Sequence, residues 1–239
     1  MWVNEFIKKG CRAVGELVFP PVCLKCGANR TLQHQYLCPF CLDKGFEEAN
    51  PGNRRNASRE ILPQHVHFQD ALWKYQKGST LQHLMYHLKY DFKANLGKQL
   101  GILAADRARK RPFVQSWLNN GPGAVILPVP LHPTKMRLRG FNQARRIAMG
   151  MAEVLNIEVV NHKSITRVKK TGTQTGFSFQ SRLKNMQGAF KVVNRQLVAH
   201  TRQLIVDDVF TTGSTVFELA NELKLNKSKD IGILTVAQA

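Results

Sequence analysis

Two adjacent carboxylates, Asp207 and Asp208, follow the branched apolar run Leu204-Ile205-Val206 and precede a small-residue loop, Thr211-Thr212-Gly213-Ser214-Thr215. The apolar run predicts a buried parallel strand, with the acids where it ends. Val216, Leu219, Ala220 and Leu223 recur at helical spacing, so a helix should open directly from the loop. A strand, a small loop and a helix N-terminus together make an anion site, because loop and first-turn N–H groups converge on one point. Two acids beside a bound anion need donors of their own. The 2′ and 3′ hydroxyls of a ribose supply them, so a sugar 5′-phosphate would place its phosphate on residues 211–215 and its diol on Asp207 and Asp208. The plainer alternative is a capped helix with solvated aspartates. A paired acid joined to Thr-Thr-Gly-Ser-Thr argues against it.

Four cysteines form a second constellation. Cys23 and Cys26 make one CxxC, Cys38 and Cys41 another, with eleven residues between the pairs. Each CxxC turn can aim both sulfurs at one metal, and two turns complete a tetrahedral shell of four thiolates. Structural Zn²⁺ is the expectation, since a closed thiolate shell leaves no position for a substrate. A disulfide or a redox CxxC is the weaker reading in a cytosolic protein. Cys11 is read as an ordinary thiol and His34 as a bystander, four sulfurs already sufficing.

These groups need elements to position them. Leu81, Leu84, Met85 and Leu88 predict one helix, and Leu96, Leu100, Leu103 and Ala104 a second, with Leu88-Lys89-Tyr90 between them. Val125 to Leu127 read as a strand broken by Pro128 and Pro130. Phe141, Ala144, Ile147, Ala148 and Met151 predict a helix starting near Gly140. Lys135, Arg137 and Arg139 then fall in the loop before it, past the carboxyl end of the strand, where open α/β sheets bind ligands. Residues 163–190 hold a long polar loop with six cations between Lys163 and Lys184. That loop is a candidate lid bringing Lys169, Lys170 and Arg182 to the bound anion as catalytic cations. No hydrophobic base pocket with an obvious acceptor base catalyst is evident. The boundaries read as an N-terminal helix and cysteine module over 1–50, a polar linker over 51–64 and the α/β domain over 65–239.

Charge narrows the partners. The 239 residues carry 35 Lys and Arg against 16 Asp and Glu, a formal +19. From Arg107 to Val206 there are 18 cations and two acids, Glu153 and Glu158, so this segment holds +16. One small bound anion needs only a few cations, so a polyanion, nucleic acid above all, is the expected partner, bound through phosphates with little sequence preference. Phe177 and Phe179 could add base stacking. No apolar run approaches the about 20 residues of a membrane helix. The first nineteen residues lack a signal-peptide core. The expected location is the cytoplasm, with the inner face of the membrane as the variant reading.

The segment 204–215 resembles the phosphoribosyl-pyrophosphate (PRPP) motif of type I phosphoribosyltransferases. The wider set resembles the ComF/GntX family in order. It comprises Leu-Pro-Val-Pro-Leu-His-Pro, Arg-Gly-Phe-Asn-Gln-Ala over 139–144, Thr-Arg-Val-Lys-Lys-Thr-Gly-Thr-Gln-Thr-Gly over 166–176, Arg182 with Asn185, Gly188-Ala189-Phe190, the acid motif and the two CxxC pairs. The resemblance covers nearly the whole chain. It implies an α/β phosphoribosyltransferase-like parallel sheet flanked by helices, and an N-terminal zinc knuckle. It implies PRPP or ribose 5-phosphate held with Mg²⁺ by Asp207, Asp208 and Thr211 to Thr215. The implied role is the handling of single-stranded DNA in natural competence, with other competence proteins, such as an uptake helicase or recombination mediator, as partners. An active phosphoribosyltransferase of nucleotide metabolism or salvage is the alternative, and a PRPP-sensing regulator a third reading. The chain departs from the family pattern near its end, where Asn226-Lys227 stands in place of a glycine turn and the last strand ends without a basic residue.

Overall fold

A computed structural model describes residues 22–29, 36–49, 62–90, 94–121, 123–170 and 185–239. Cys11, His34, Phe177, Phe179, Arg182 and most of the segment read as a linker lie outside these residues. The chain divides into two compact units, one ending at Phe46 and the other beginning at Glu47.

The first unit is small. Val22 and Asn29 pair across a tight turn in which Gly27 takes φ 73°, and the turn leaves Cys23 and Cys26 on one side. Helix α1 (Pro39–Lys44) starts at a proline, which suits a first helical position because its missing N–H would be unpaired there anyway. Leu37, with no exposed surface, is the core of this unit together with the nearly buried Cys23 and Cys41.

The second unit is an α/β layer structure. Its strands are β1 (Val66–Lys74), β2 (Ala124–Pro128), β5 (Arg202–Phe210) and β6 (Ile231–Gln238), in the order β1-β6-β5-β2 and all parallel. Val159 extends the β2 edge through a parallel bridge to Ile126. Central strands β5 and β6 read as near-continuous apolar runs, as a sheet covered on both faces requires. Leu127, Ile205 and Ile233 lie in one row across the sheet and point into the core under helix α7 (Ser214–Leu225). Helices α3 (Ala94–Ala108) and α6 (Gln143–Leu155) pack against each other and against strands of the sheet. Gly101 and Gly150 let these helices touch backbone to backbone, because a Cβ at Gly101 would strike the Ile147 carbonyl and one at Gly150 the Lys98 carbonyl.

Several expectations are corrected. Strand β5 does not end at the acids; Asp207 pairs with Thr235 and Phe210 with Gln238, so both acids are inside the strand. Residues 133–139 are not a loop but a short helix, α5 (Pro133–Arg139), followed by a separate start of α6 at Gln143. Pro133 opens α5, the His132 side chain accepts from the Thr134 N–H, and Gly140 closes it in the left-handed conformation at φ 71°. Asn142 caps α6. Helix α4 (Pro112–Asn119) also went unread, its short span burying only Val114 and Trp117. Glu47 and Ala49, at the end of the stretch assigned to the cysteine module, bond to strand β1 through Lys74 N–H to Glu47 O (2.8 Å) and Ala49 N–H to Leu72 O (3.3 Å). At the end of α7, Lys227 takes the left-handed turn position at φ 64° where a glycine was expected.

Candidate sugar-phosphate and metal sites

The acid pair gains its geometry from the strand that carries it. Asp208 N–H donates to Asp207 Oδ1 and Val209 N–H to Asp208 Oδ1, each at 2.8 Å, so both carboxylates fold back on their own backbone. Burial, then the adjacent charge of Asp208, pushes Asp207 up from 3.8 to about 7. Burial works against the charge of Asp208 as well, but Lys89 overcomes it and holds this carboxyl below its ordinary range. Lys89 Nζ lies 2.8 Å from Asp208 Oδ2, and the carboxylate raises the lysine in turn. One acid is therefore a fixed anion and its neighbour is poised near neutrality.

Lys89 is the last lysine of helix α2 (Thr80–Tyr90). Leu81, Leu84, Met85 and Leu88 bury one face of α2. Lys89 reaches the acids of β5 from the edge of that face.

Other cations converge on the same place. Lys135 and Arg139 are one helical turn apart on α5, and both are half-buried. Burial, then Arg167, Arg139 and Lys89, lowers the Lys135 ammonium, while Asp208 acts in the opposite sense. Arg167 comes from the antiparallel ribbon of β3 (Ile165–Arg167) and β4 (Phe190–Val192). Burial lowers Arg167, Asp207 opposes it, and its guanidinium lies 5.6 Å over the Phe190 ring. Helix α7 fastens this ribbon: Glu222 accepts from Val192 N–H at 3.0 Å and Glu218 from Gly188 N–H at 2.7 Å. The structure thus brings Lys135 and Arg139 to the acids, whereas Arg137 and Lys170 are exposed and Lys169 bonds the Gln187 carbonyl at 3.3 Å. Lys89 and Arg167 were not singled out in the sequence reading.

The loop after β5 leads into the start of α7, which has no side-chain cap, and Gly213 there takes φ 73°. A Cβ at Gly213 would meet Phe217 Cζ at 2.6 Å and Phe210 Cζ at 2.9 Å. Those rings pack edge to face at 5.7 Å beneath the turn, so any side chain here would strain the backbone and displace a ring. Thr212 Oγ1 and Ser214 Oγ lie 3.2 Å apart. The first-turn N–H groups of a twelve-residue helix are left for an anion.

Beside this site is a cavity of about 600 Å³, which the sequence reading did not foresee. Leu127, Pro128, Val160 and Ile165 give it an apolar wall, and Asn142, Arg145 and Asn161 supply polar groups. Asn142 Nδ2 donates to the Val129 carbonyl at 2.9 Å, which ties the loop after β2 to the start of α6.

The basic middle of the chain is not one face. Arg202, 2% exposed, donates to the carbonyls of Trp117, Leu118 (3.2 Å) and Gly121 (2.8 Å) at the end of α4. Arg107 bonds the Leu72 carbonyl and Glu48, and Arg111 stands 3.5 Å from Asp70. These cations hold the fold and are removed from any count available to a polyanion.

In the first unit, one ligand atom from each of Cys23, Cys26, Cys38 and Cys41 lies within 4.8 Å of the others. Cys26 and Cys38 Sγ are 3.7 Å apart, close to the ~3.8 Å edge of a tetrahedron with ~2.3 Å zinc–sulfur bonds. Cys38 N–H donates to Cys23 Sγ at 3.3 Å, the kind of contact that orients a thiolate ligand. The cluster is able to hold a metal ion, and its all-sulfur donor set suits zinc. Among the described residues no helix is long and apolar enough to cross a membrane.

No family profile matches the chain. It is 36% identical over 226 residues to DNA utilization protein YhgH of Salmonella typhimurium, covering 93% of this chain and 92% of that one. It is 31% identical over 210 residues to the Escherichia coli protein of the same name, covering 86% and 78%. It is also similar to competence protein F of Haemophilus influenzae, at 28% over 222 residues, covering 92% and 85%. The chain belongs to the ComF family, which includes these competence and DNA utilization proteins.

Proposed function

We propose that this protein takes part in the use of imported single-stranded DNA, with a sugar-phosphate site at residues 207–215 that binds PRPP or ribose 5-phosphate. The observation that carries the reading is the junction of two strand-borne acids with an uncapped helix N-terminus at Gly213, ringed by Lys89, Lys135, Arg139 and Arg167. The ribose diol would bond Asp207 and Asp208, and the 5′-phosphate the N–H groups of residues 211–215. A pyrophosphate would take the cations of α5 and Arg167, and Mg²⁺ would offset its remaining charge. The names of the relatives support the DNA role, and a chain of formal +19 is suited to phosphate contact. Other competence proteins as partners fit the same reading. The four-cysteine unit would hold structural Zn²⁺, which supplies folding energy and no chemistry.

Phosphoribosyl transfer is the second reading, and the cavity of about 600 Å³ beside the cations favours it by offering room for an acceptor. Incubation with PRPP, Mg²⁺ and pools of bases or oligonucleotides separates the two. Pyrophosphate release with one pool makes the protein a transferase; PRPP binding without release keeps it a ligand of a DNA-handling factor.

A further inference from the structure

Helix α2 buries Leu81, Leu84, Met85 and Leu88 and leaves two aromatic rings outside. Tyr86 is 57% exposed and Tyr90 is 47% exposed. They are one helical turn apart, with ring centroids separated by 4.8 Å and planes inclined by 40°. Arg139 of α5 places its guanidinium 5.5 Å over the Tyr90 ring. Lys89, between the two tyrosines in sequence, turns the other way and contacts Asp208 at 2.8 Å. An exposed pair of tyrosines thus ends beside the acids of the sugar-phosphate site, and one cation serves as the bridge.

Exposed aromatics set side by side in this way suit flat, apolar ring faces that arrive with negative charge attached. The charge around them is of the right sign, since Arg139 lies over Tyr90 and Lys135, one turn away on α5, feels the charges of Arg139 and Lys89. Base stacking on aromatic rings tolerates any sequence, and arginine adds to it over the ring face. We propose that Tyr86 and Tyr90 are a stacking platform for consecutive bases of single-stranded DNA, whose backbone runs along Lys135 and Arg139 toward residues 207–215. This rests on the DNA reading above and assigns it a contact surface apart from the long basic loop. Among the described residues the two rings are set beside cations, which suits a polyanion better than the apolar centre of a protein interface.

The test uses the full chain with its metal, a 5′-labelled oligothymidylate and an equally long abasic oligonucleotide carrying the same phosphates. Fluorescence anisotropy is followed for wild type, Y86A/Y90A and Y86F/Y90F, with circular dichroism verifying the fold of each. Y86A/Y90A is expected to bind oligothymidylate at least about fivefold more weakly, the lower end of what loss of a stacked base costs. Its affinity for the abasic strand and its salt slope should match wild type, and Y86F/Y90F should retain binding. Unchanged oligothymidylate binding by Y86A/Y90A, or an equal loss on the abasic strand, overturns the platform while leaving the DNA reading in place. Absence of salt-dependent binding by wild type overturns both. If the substitutions abolish a dimer and spare the oligonucleotide, the face belongs to a second copy and the proposal fails.

Discussion

Replacing Asp207 by Asn should stabilise the protein at pH 8 and leave its stability unaltered near pH 4. The reason lies in where this carboxyl sits. Burial and the fixed charge of Asp208 raise it from 3.8 to about 7, and the Asp208 N–H and the Lys89 charge offset this in part. A group raised in the folded state keeps a proton that the unfolded chain has lost. Stability therefore falls as pH climbs from about 4 to about 7, and the penalty is complete above that. At 1.36 kcal/mol per pKa unit the expected gain is a few kcal/mol, at most about 4 kcal/mol. Asn is isosteric, keeps the 2.8 Å acceptor for the Asp208 N–H and carries no charge. Urea unfolding followed by tryptophan emission is weighted to the right unit, which holds two of the three tryptophans, Trp73 and Trp117; a W2F background removes the third. The difference between variant and wild type should grow from near zero at pH 4.5 to its full value at pH 8. A variant less stable than wild type at pH 8, or a difference that ignores pH, refutes the assignment of Asp207 as a strained carboxyl.

Arg202→Met should destabilise the protein by about 3 kcal/mol, since three helix-end carbonyls lose a buried charged donor; urea unfolding should record this while oligonucleotide affinity stays at the wild-type value. One zinc per chain is expected by elemental analysis, and Cys38→Ser/Cys41→Ser should abolish it and unfold the first unit, because binding of ~10–16 kcal/mol is its folding energy. Retention of structure there by the double variant would contradict the metal assignment. Exposed Lys169 and Lys170 contribute to DNA binding through phosphates alone in this account, so Lys169→Ala/Lys170→Ala should reduce the slope of log K against log salt by up to ~1.4, at ~0.7 per contact. An unchanged slope would remove them from the interface.

Local pattern made part of this architecture readable. The strand, loop and helix at 204–223 could be read because an apolar run, small residues and a helical repeat follow one another within twenty residues, each with a different period. The cysteine cluster was readable because both CxxC turns are local and only their meeting is long-range. Lys89 was not readable: in sequence it is an ordinary cation at a helix end, and its partner Asp208 is far along the chain. Helix α5 escaped because it buries no residue and so has no apolar period; its proline start and glycine stop are its only signals. Strand β1 escaped because Gln69 and Asp70, both buried, interrupt its apolar run. The charge count misled for a related reason. A formal sum treats Arg107 and Arg202 like surface lysines, although the fold spends both on carbonyl groups.

The central claim is that residues 207–215 form a sugar-phosphate site, and calorimetry tests it most directly. Wild type, Asp208→Ala and Gly213→Val are titrated with PRPP and Mg²⁺, and separately with ribose 5-phosphate. Wild type should bind both ligands. Asp208→Ala should bind each at least about tenfold more weakly, having lost a charged acceptor for the ribose hydroxyls. Gly213→Val should lose both, because its side chain would fill the space against Phe210 and Phe217 and distort the turn. Equal affinity in wild type and Asp208→Ala, with all three proteins folded by circular dichroism, would contradict the account.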